Sequence, residues 1–148
     1  MYPVITFGLL AAVVGLALLL RRTQTELTTI ADHAPSAVAH VVGHGEKLKY
    51  RFVNKKYADL YGRQPSDVIG KHPKDVLGPD IFARSHANML RAIGGETVTF
   101  DLDLGGRTVE VVYHPDVPSP ATAQGFVGVI TDVTELRRLQ RTAKHGLG

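Results

Sequence analysis

Cysteine and tryptophan are both absent from this chain of 148 residues. Without thiols there are no disulfides, no thiolate metal ligands and no cysteinyl nucleophile. The net charge of +3 is modest, and no Lys/Arg run with interleaved aromatics marks a nucleic-acid face. Nucleic acid is therefore not expected among the partners. No G-x-G-x-x-G, phosphate-loop, G-x-S-x-G or H-E-x-x-H pattern occurs, and no nucleophile, base and metal-ligand constellation is visible. An enzyme is not expected. The length suits one domain with appendages, enough for a single core.

One long apolar run is present. Residues 3–20, PVITFGLLAAVVGLALLL, carry no charge and are followed at once by Arg21 and Arg22. Counted from Met1, 20 helical residues at about 1.5 Å each reach about 30 Å, a bilayer core's thickness. A cleaved signal peptide would want a basic stretch before the run and a small-x-small site after it. Here the run ends in three leucines, so residues 1–22 read as an uncleaved membrane anchor helix with lipid as a partner. The basic residues on its C-terminal flank predict a single-pass protein of the cytoplasmic (inner) membrane, its remaining residues facing the cytoplasm. Gly8/Ala12 and Ala11/Gly15 are small residues four apart, which permits close helix contact and a homodimer.

Residues 23–35 read as a linker helix, with Leu27, Ile30, Ala31 and Ala34 at helical spacing and Pro35 ending it. Strands are expected over 36–42 and 48–53, joined by the turn residues Gly43 to Glu46. In 50–71, YRFVNKKYADLYGRQPSDVIGK, the second strand ends at Asn54, whose side chain can accept from the next turn's amides. Tyr57, Leu60 and Tyr61 then fall at i, i+3, i+4 before Gly62, and Pro65 opens another short helix closed by Gly70. Residues 71–78 read as a helical turn or loop. The longest internal helix is expected over 79–93, with Phe82, His86, Met89, Leu90 and Ile93 sharing one face.

Three strand candidates follow. In 96–104, Val98, Phe100, Leu102 and Leu104 alternate with Thr99, Asp101 and Asp103, and the two aspartates read as a solvated pair on the wet face. Gly105-Gly106 predicts a tight hairpin into 107–114. Residues 115–124 are a loop rich in Pro and Ser, and 125–131 form the last strand. The order argues α+β: a five-stranded antiparallel sheet with helices on one face. Asp132 and Glu135 then form a capping-box pattern at the start of a terminal helix. Leu136, Leu139 and Ala143 line one face of that helix, while Arg137, Arg138, Arg141 and Lys144 face solvent.

The segment 50–71, together with the β-branched run GFVGVITDVTEL at 125–136 and its Asp-x-Thr at Asp132 to Thr134, resembles the PAS domain family. The likeness covers about residues 26–136. It implies a PAS sensor domain over 36–134, preceded by the transmembrane helix and followed by an exit helix and tail over 135–148. The missing cysteine excludes the flavin-Cys adduct of LOV-type PAS domains. A ligand pocket between the long helix and the inner sheet face is implied near Phe82, His86, Met89, Leu90, Phe100, Val111 and Ile130. Asp132, Thr134 and Glu135 would relay a change in sheet packing to the exit helix.

The cofactor is left unassigned by these residues. His86 followed by Leu90 resembles the proximal-ligand segment of oxygen-sensing PAS domains, which implies heme b with His86 on the iron. Three readings stand together: a membrane-anchored cytoplasmic PAS module sensing by ligand binding or dimerisation, a heme-based gas or redox sensor, and a ligand-free dimerisation scaffold. The partners implied are a small molecule, a second copy, or another signalling protein. PAS exit helices usually run into an output domain, so the chain is either a stand-alone module or a piece of a longer polypeptide. His40 and His44 have no third ligand within sequence reach, so a metal site from them is not expected.

Overall fold

The computed structural model of the chain describes residues 12, 14–16, 18, 35–116 and 124–146. Contacts divide the chain into Met1–Ala34 and Pro35–Gly148. Of the expected anchor at 1–22, Ala12, Val14, Gly15, Leu16 and Leu18 are described, as helix, and the rest lies outside the described residues. The linker helix at 23–34 lies outside them too. The membrane reading is corrected: no helix among the described residues is long and apolar enough to cross a membrane. The single-pass inner-membrane placement falls with it, because a span needs about 20 consecutive apolar helical residues.

Among the described residues the second unit has five strands: β1 (Ala37–Val42), β2 (Lys49–Val53), β3 (Val98–Leu104), β4 (Arg107–Pro115) and β5 (Gly125–Asp132). They form one sheet in the order β2-β1-β5-β4-β3, with every neighbouring pair antiparallel. Alternation dictates which way the strands face. Ala37, Ala39 and Val41 of β1 are buried while Val38, His40 and Val42 are not, and β4 buries Val109, Val111 and Tyr113 in the same manner. Leu104 pairs with Arg107 across Gly105 and Gly106, both at positive φ. Two consecutive positive-φ residues suit the right-handed twist of a hairpin, and glycine adopts them without a Cβ clash.

Helices cover the inner face. They are α1 (Lys55–Leu60), α2 (Pro65–Val68) and α3 (Pro73–Ile93), and α4 (Thr134–Gly146) follows β5. Asn54 starts α1 as expected: its Oδ1 accepts from Tyr57 N at 3.0 Å. The same oxygen accepts from Val38 N at 2.9 Å, and Nδ2 donates to Ser36 O at 3.0 Å. One buried amide thus joins a helix start to the first strand. The stretch 71–78 is more regular than expected, since helical residues begin at Pro73. Gly78 (φ 79°, ψ 164°) breaks the helix, and Pro79 restarts it.

The inward face of α3 differs from the sequence expectation. Leu77, Ser85, Met89 and Ala92 are buried, whereas Leu90 is 53 % exposed. Helical residues rotate by about 100° each. A stripe through Ser85 and Met89 therefore excludes Leu90 and sets Phe82 and His86 on the flank. Ser85 was the obstacle to reading this stripe, because a small polar residue signals no core position. The core itself centres on Tyr50, Val53, Tyr57, Val68, Val111 and Phe126, all 4 % exposed or less.

Candidate functional site

The inner sheet face is graded from small to large. Ala39 pairs with Gly128, and Gly128 pairs with Tyr113 on the other side. A Cβ at Gly128 would lie 3.2 Å from Tyr113 Cε1. The small residues at 39 and 128 therefore leave the space into which the Tyr113 ring folds. That ring also meets Phe126 at 4.6 Å and Phe100 at 5.2 Å between centroids. Across from it stand Tyr57 of α1 and Tyr61 at its C-cap, with Ile81, Ser85 and Met89 of α3.

These residues enclose a cavity of about 20 Å³, room for about one water molecule. Four of the chain's five tyrosines wall it: Tyr50, Tyr57, Tyr61 and Tyr113. The Tyr50 and Tyr57 hydroxyls are 2.6 Å apart, and the rings of Tyr57 and Tyr61 lie 5.3 Å apart. Burial pushes the Tyr50, Tyr57 and Tyr113 hydroxyls well above their ordinary value and Tyr61 up to about 12. Ser85 faces the Tyr113 hydroxyl and tempers its rise. Ser85 Oγ, in a residue only 1 % exposed, approaches that hydroxyl without making a well-formed hydrogen bond. No charged side chain is among the lining residues.

A raised tyrosine pKa means that the folded state holds its proton more tightly than the unfolded chain. The associated stability is complete below the ordinary value of 10.0 and is lost as pH rises through the folded values. In an alkaline titration the four tyrosines are expected to ionise together with unfolding. The tyrosinate absorbance should grow with the loss of circular dichroism; growth well ahead of it would show that water reaches the cluster.

A groove of about 500 Å³ adjoins the cavity. Leu104, Val109 and Ile130 form part of both walls. Its rim carries Lys56, Asp59, Arg107 and Asp132, two charges of each sign. Leu60 of α1 stands on it, 40 % exposed.

Of the expected pocket residues, Met89, Val111 and Ile130 line the cavity. Phe82, His86, Leu90 and Phe100 are not among its walls. Phe82 and His86 stack on each other with centroids 4.8 Å apart, and His72 meets Phe82 at 5.5 Å. Phe100 is partly buried behind Tyr113. Heme b does not fit this arrangement. His86 is not among the residues lining the cavity, and about 20 Å³ is far below the about 300–1,000 Å³ of a ligand pocket. Sequence reasoning missed the hydroxyl cluster. The i, i+4 spacing of Tyr57 and Tyr61 was visible, but nothing in the sequence brings Tyr50, Tyr57, Tyr61 and Tyr113 around one cavity with Ser85.

At the sheet's far edge, β5 passes into α4. Asp132 Oδ1 accepts from Thr134 N at 3.0 Å and from Thr134 Oγ1 at 2.6 Å. Thr134 Oγ1 in turn accepts from Thr108 N of β4 at 3.0 Å. The reciprocal capping box is not formed, because α4 starts at Thr134 and Glu135 bonds to Arg138 instead, at 2.6 Å. Arg137, expected to face solvent, grips the sheet. Its Nε and Nη2 donate to Asp101 at 2.9 and 3.2 Å, and Nη2 also donates to Glu110 at 3.2 Å. Asp101 is exposed on the wet face as expected and is in addition the fork partner of Arg137. His40 likewise meets Asp116, at 3.3 Å.

The hydrogen bonds from Arg137, opposed slightly by burial, hold the Asp101 carboxyl below its ordinary 3.8. A depressed folded pKa contributes docking that is present above the ordinary value and lost as pH falls through the folded one. The clamp is therefore closed at neutral pH and opens only in acid below the ordinary carboxylate value. Arg137→Ala is expected to reproduce the open state at neutral pH, lowering amide-exchange protection in α4 while the sheet stays protected. Unchanged α4 protection in both conditions would show that the clamp does not hold the helix.

Comparison with known proteins agrees with this architecture. The PAS fold profile matches residues 31–138. The chain belongs to the PAS family, whose domains serve signal sensing. Among solved structures, it is similar to the PAS domain of Bordetella pertussis BvgS, at 23 % identity and a TM-score of 0.57, over 87 % of this chain and 98 % of that one. A domain of an HTR-like protein from Haloarcula marismortui shares 22 % identity at TM-score 0.55, over 68 % of this chain and all (100 %) of that one. The LOV protein of Rhodobacter sphaeroides shares 14 % at TM-score 0.58, over 76 % and 68 % of the two chains. A search of curated proteins found no match.

Proposed function

We propose that this PAS domain is a non-enzymatic sensor module in which a small molecule entering the interior changes sheet packing and releases or tightens the exit helix. The observation that carries this reading is the double attachment of α4. Thr134 joins it to Thr108 of β4, and Arg137 joins it to Asp101 of β3 and Glu110 of β4. Those two strands form the inner-face wall at Phe100, Val109, Val111 and Tyr113. A displacement of that wall moves the anchor points of the helix directly. The ligand shifts the equilibrium by its differential affinity for the two packings.

Leu136 and Leu139 of α4 are 51 % and 56 % exposed, and no residue of α4 is buried. A helix of this length is marginal without a partner surface, which supports a second copy or an output segment as the receiver. The test compares hydrogen exchange in the full chain, its Met89→Trp variant, and Met89→Trp combined with Thr134→Val. Overfilling the interior should change α4 protection in the single variant, and loss of the Thr134 link should blunt that change. If Met89→Trp perturbs α3 and the sheet but leaves α4 as it was, the relay is wrong.

A further inference from the structure

We infer that His72 is an acid-sensitive latch at the start of α3, closed while its imidazole is neutral and released when the ring takes up a proton. The inference goes beyond the ligand reading and needs no molecule in the interior. His72 precedes Pro73, the first residue of α3, and is the N-cap of that helix. Its Nδ1 accepts from Lys74 N at 3.1 Å. Its Nε2 lies 2.9 Å from Gly45 O. A carbonyl oxygen only accepts, so Nε2 carries the proton and donates. Neutral imidazole has one donor and one acceptor nitrogen. Both contacts are met by a single tautomer, with Nε2 protonated and Nδ1 bare.

Protonation removes that match. Imidazolium has a proton on both nitrogens and no acceptor, so its Nδ1–H would face the Lys74 N–H. The added charge also lies at a helix N-terminus, where the free amides favour anions over cations. The third contact, the Phe82 ring at 5.5 Å between centroids, offers no lone pair to the new proton. Nor can the preceding backbone yield. Gly70 N donates to Tyr50 O at 2.7 Å and Tyr50 N to Lys71 O at 2.9 Å, which straps the residues before His72 to β2. Either the ring swings out and its bond to the 3-10 turn Gly45–Lys47 breaks, or the first turn of α3 frays. A carboxylate paired with the ring would reverse this sign by stabilising the cation. The neighbouring turn brings His44, Glu46 and Lys47, and β2 begins at Lys49. Asp67 of α2 bonds Gln64 N, and Arg63 Nη2 donates to Asp75 O. Lys71, Lys74 and Asp75 flank the cap in sequence, and His86 lies across the Phe82 ring. Among the described residues no carboxylate pairs with His72.

The test is NMR on the isotope-labelled full chain, titrated from about pH 8 to about pH 5, the span in which imidazole changes charge. This span lies above the acid range in which the Arg137–Asp101 clamp opens, so the two events are read separately. At the upper end the His72 ring should show the Nε2–H tautomer. Towards the lower end, protection of the Lys74 amide should fall about fivefold after correction for the intrinsic pH dependence of exchange, the effect of losing one cap. In His72→Asn the side-chain oxygen caps the helix without titrating, so Lys74 protection should stay level across the same span. His44→Gln leaves the His72 ring in place and should keep the fall. An Nδ1–H tautomer, or Lys74 protection that does not change with pH, would overturn the latch. The same fall in His72→Asn, or its loss in His44→Gln, would assign the titration to another group and overturn it equally.

Discussion

Asn54→Ala is expected to lower the unfolding free energy by about 3–5 kcal/mol, each buried group left unpaired costing about 1–3. Asn54 is fully buried. Its removal strands Val38 N, Tyr57 N and Ser36 O together. Loss of the helix cap alone would cost about 1 kcal/mol. The remainder comes from the sheet side, where the same side chain fixes the start of β1. Urea unfolding checks it: the midpoint should fall while the slope stays constant. A loss near 1 kcal/mol would mean that the residue only caps α1. Asn54→Asp separates the roles further, since it keeps the acceptor and removes the donor to Ser36 O.

Gly125→Ala is expected to be comparably severe, for a steric reason. A Cβ there would lie 1.9 Å from Val41 O and 2.8 Å from Val42 Cα. Both obstacles are backbone, so no rotamer change relieves them. Either β1 and β5 separate or the edge of the pairing opens, at a cost of about 3 kcal/mol. Gly125 pairs with Val42, and just beyond them Gly43 N donates to Gln124 O at 2.9 Å. Amide exchange at Val41 and Gly43 should accelerate before the rest of the sheet changes. A variant of near-native stability with those amides still protected would show that the strands accommodate the methyl.

Both positions illustrate how differently the fold and the site were written in the sequence. All five strands fall within two residues of their expected bounds, because alternation over 98–104 and 107–115 admits one inward set. Asn54 was legible as a cap, and the hairpin at Gly105-Gly106 as a turn. Its second bond, to Val38, was not legible, since it joins residues 16 apart through the fold. Gly125 gave no warning either. Its tolerance is set by a neighbouring strand's carbonyl, not by its own φ.

The candidate site was read less well. Met89, Val111 and Ile130 were placed on the interior, while Phe82, His86, Leu90 and Phe100 were placed there by a helix face set too far round and by the size of an aromatic. The apolar content of α3 pointed to His86 and Leu90; the folded helix buries Leu77, Ser85, Met89 and Ala92 instead. Arg137 was assigned to solvent as part of the charged face opposite Leu136, Leu139 and Ala143. Its carboxylates come from β3 and β4.

By itself, then, the sequence determined the order of strands and helices, the cap at Asn54 and the turn glycines. Each of these follows from interactions within a few residues: periodic burial, local hydrogen bonds and the freedom of glycine. The tertiary structure decided which hydroxyls meet, which side of α3 faces the sheet and what holds the exit helix. Those depend on distances between residues such as Ser85 and Tyr113 or Asp101 and Arg137, which become neighbours only when the chain has folded.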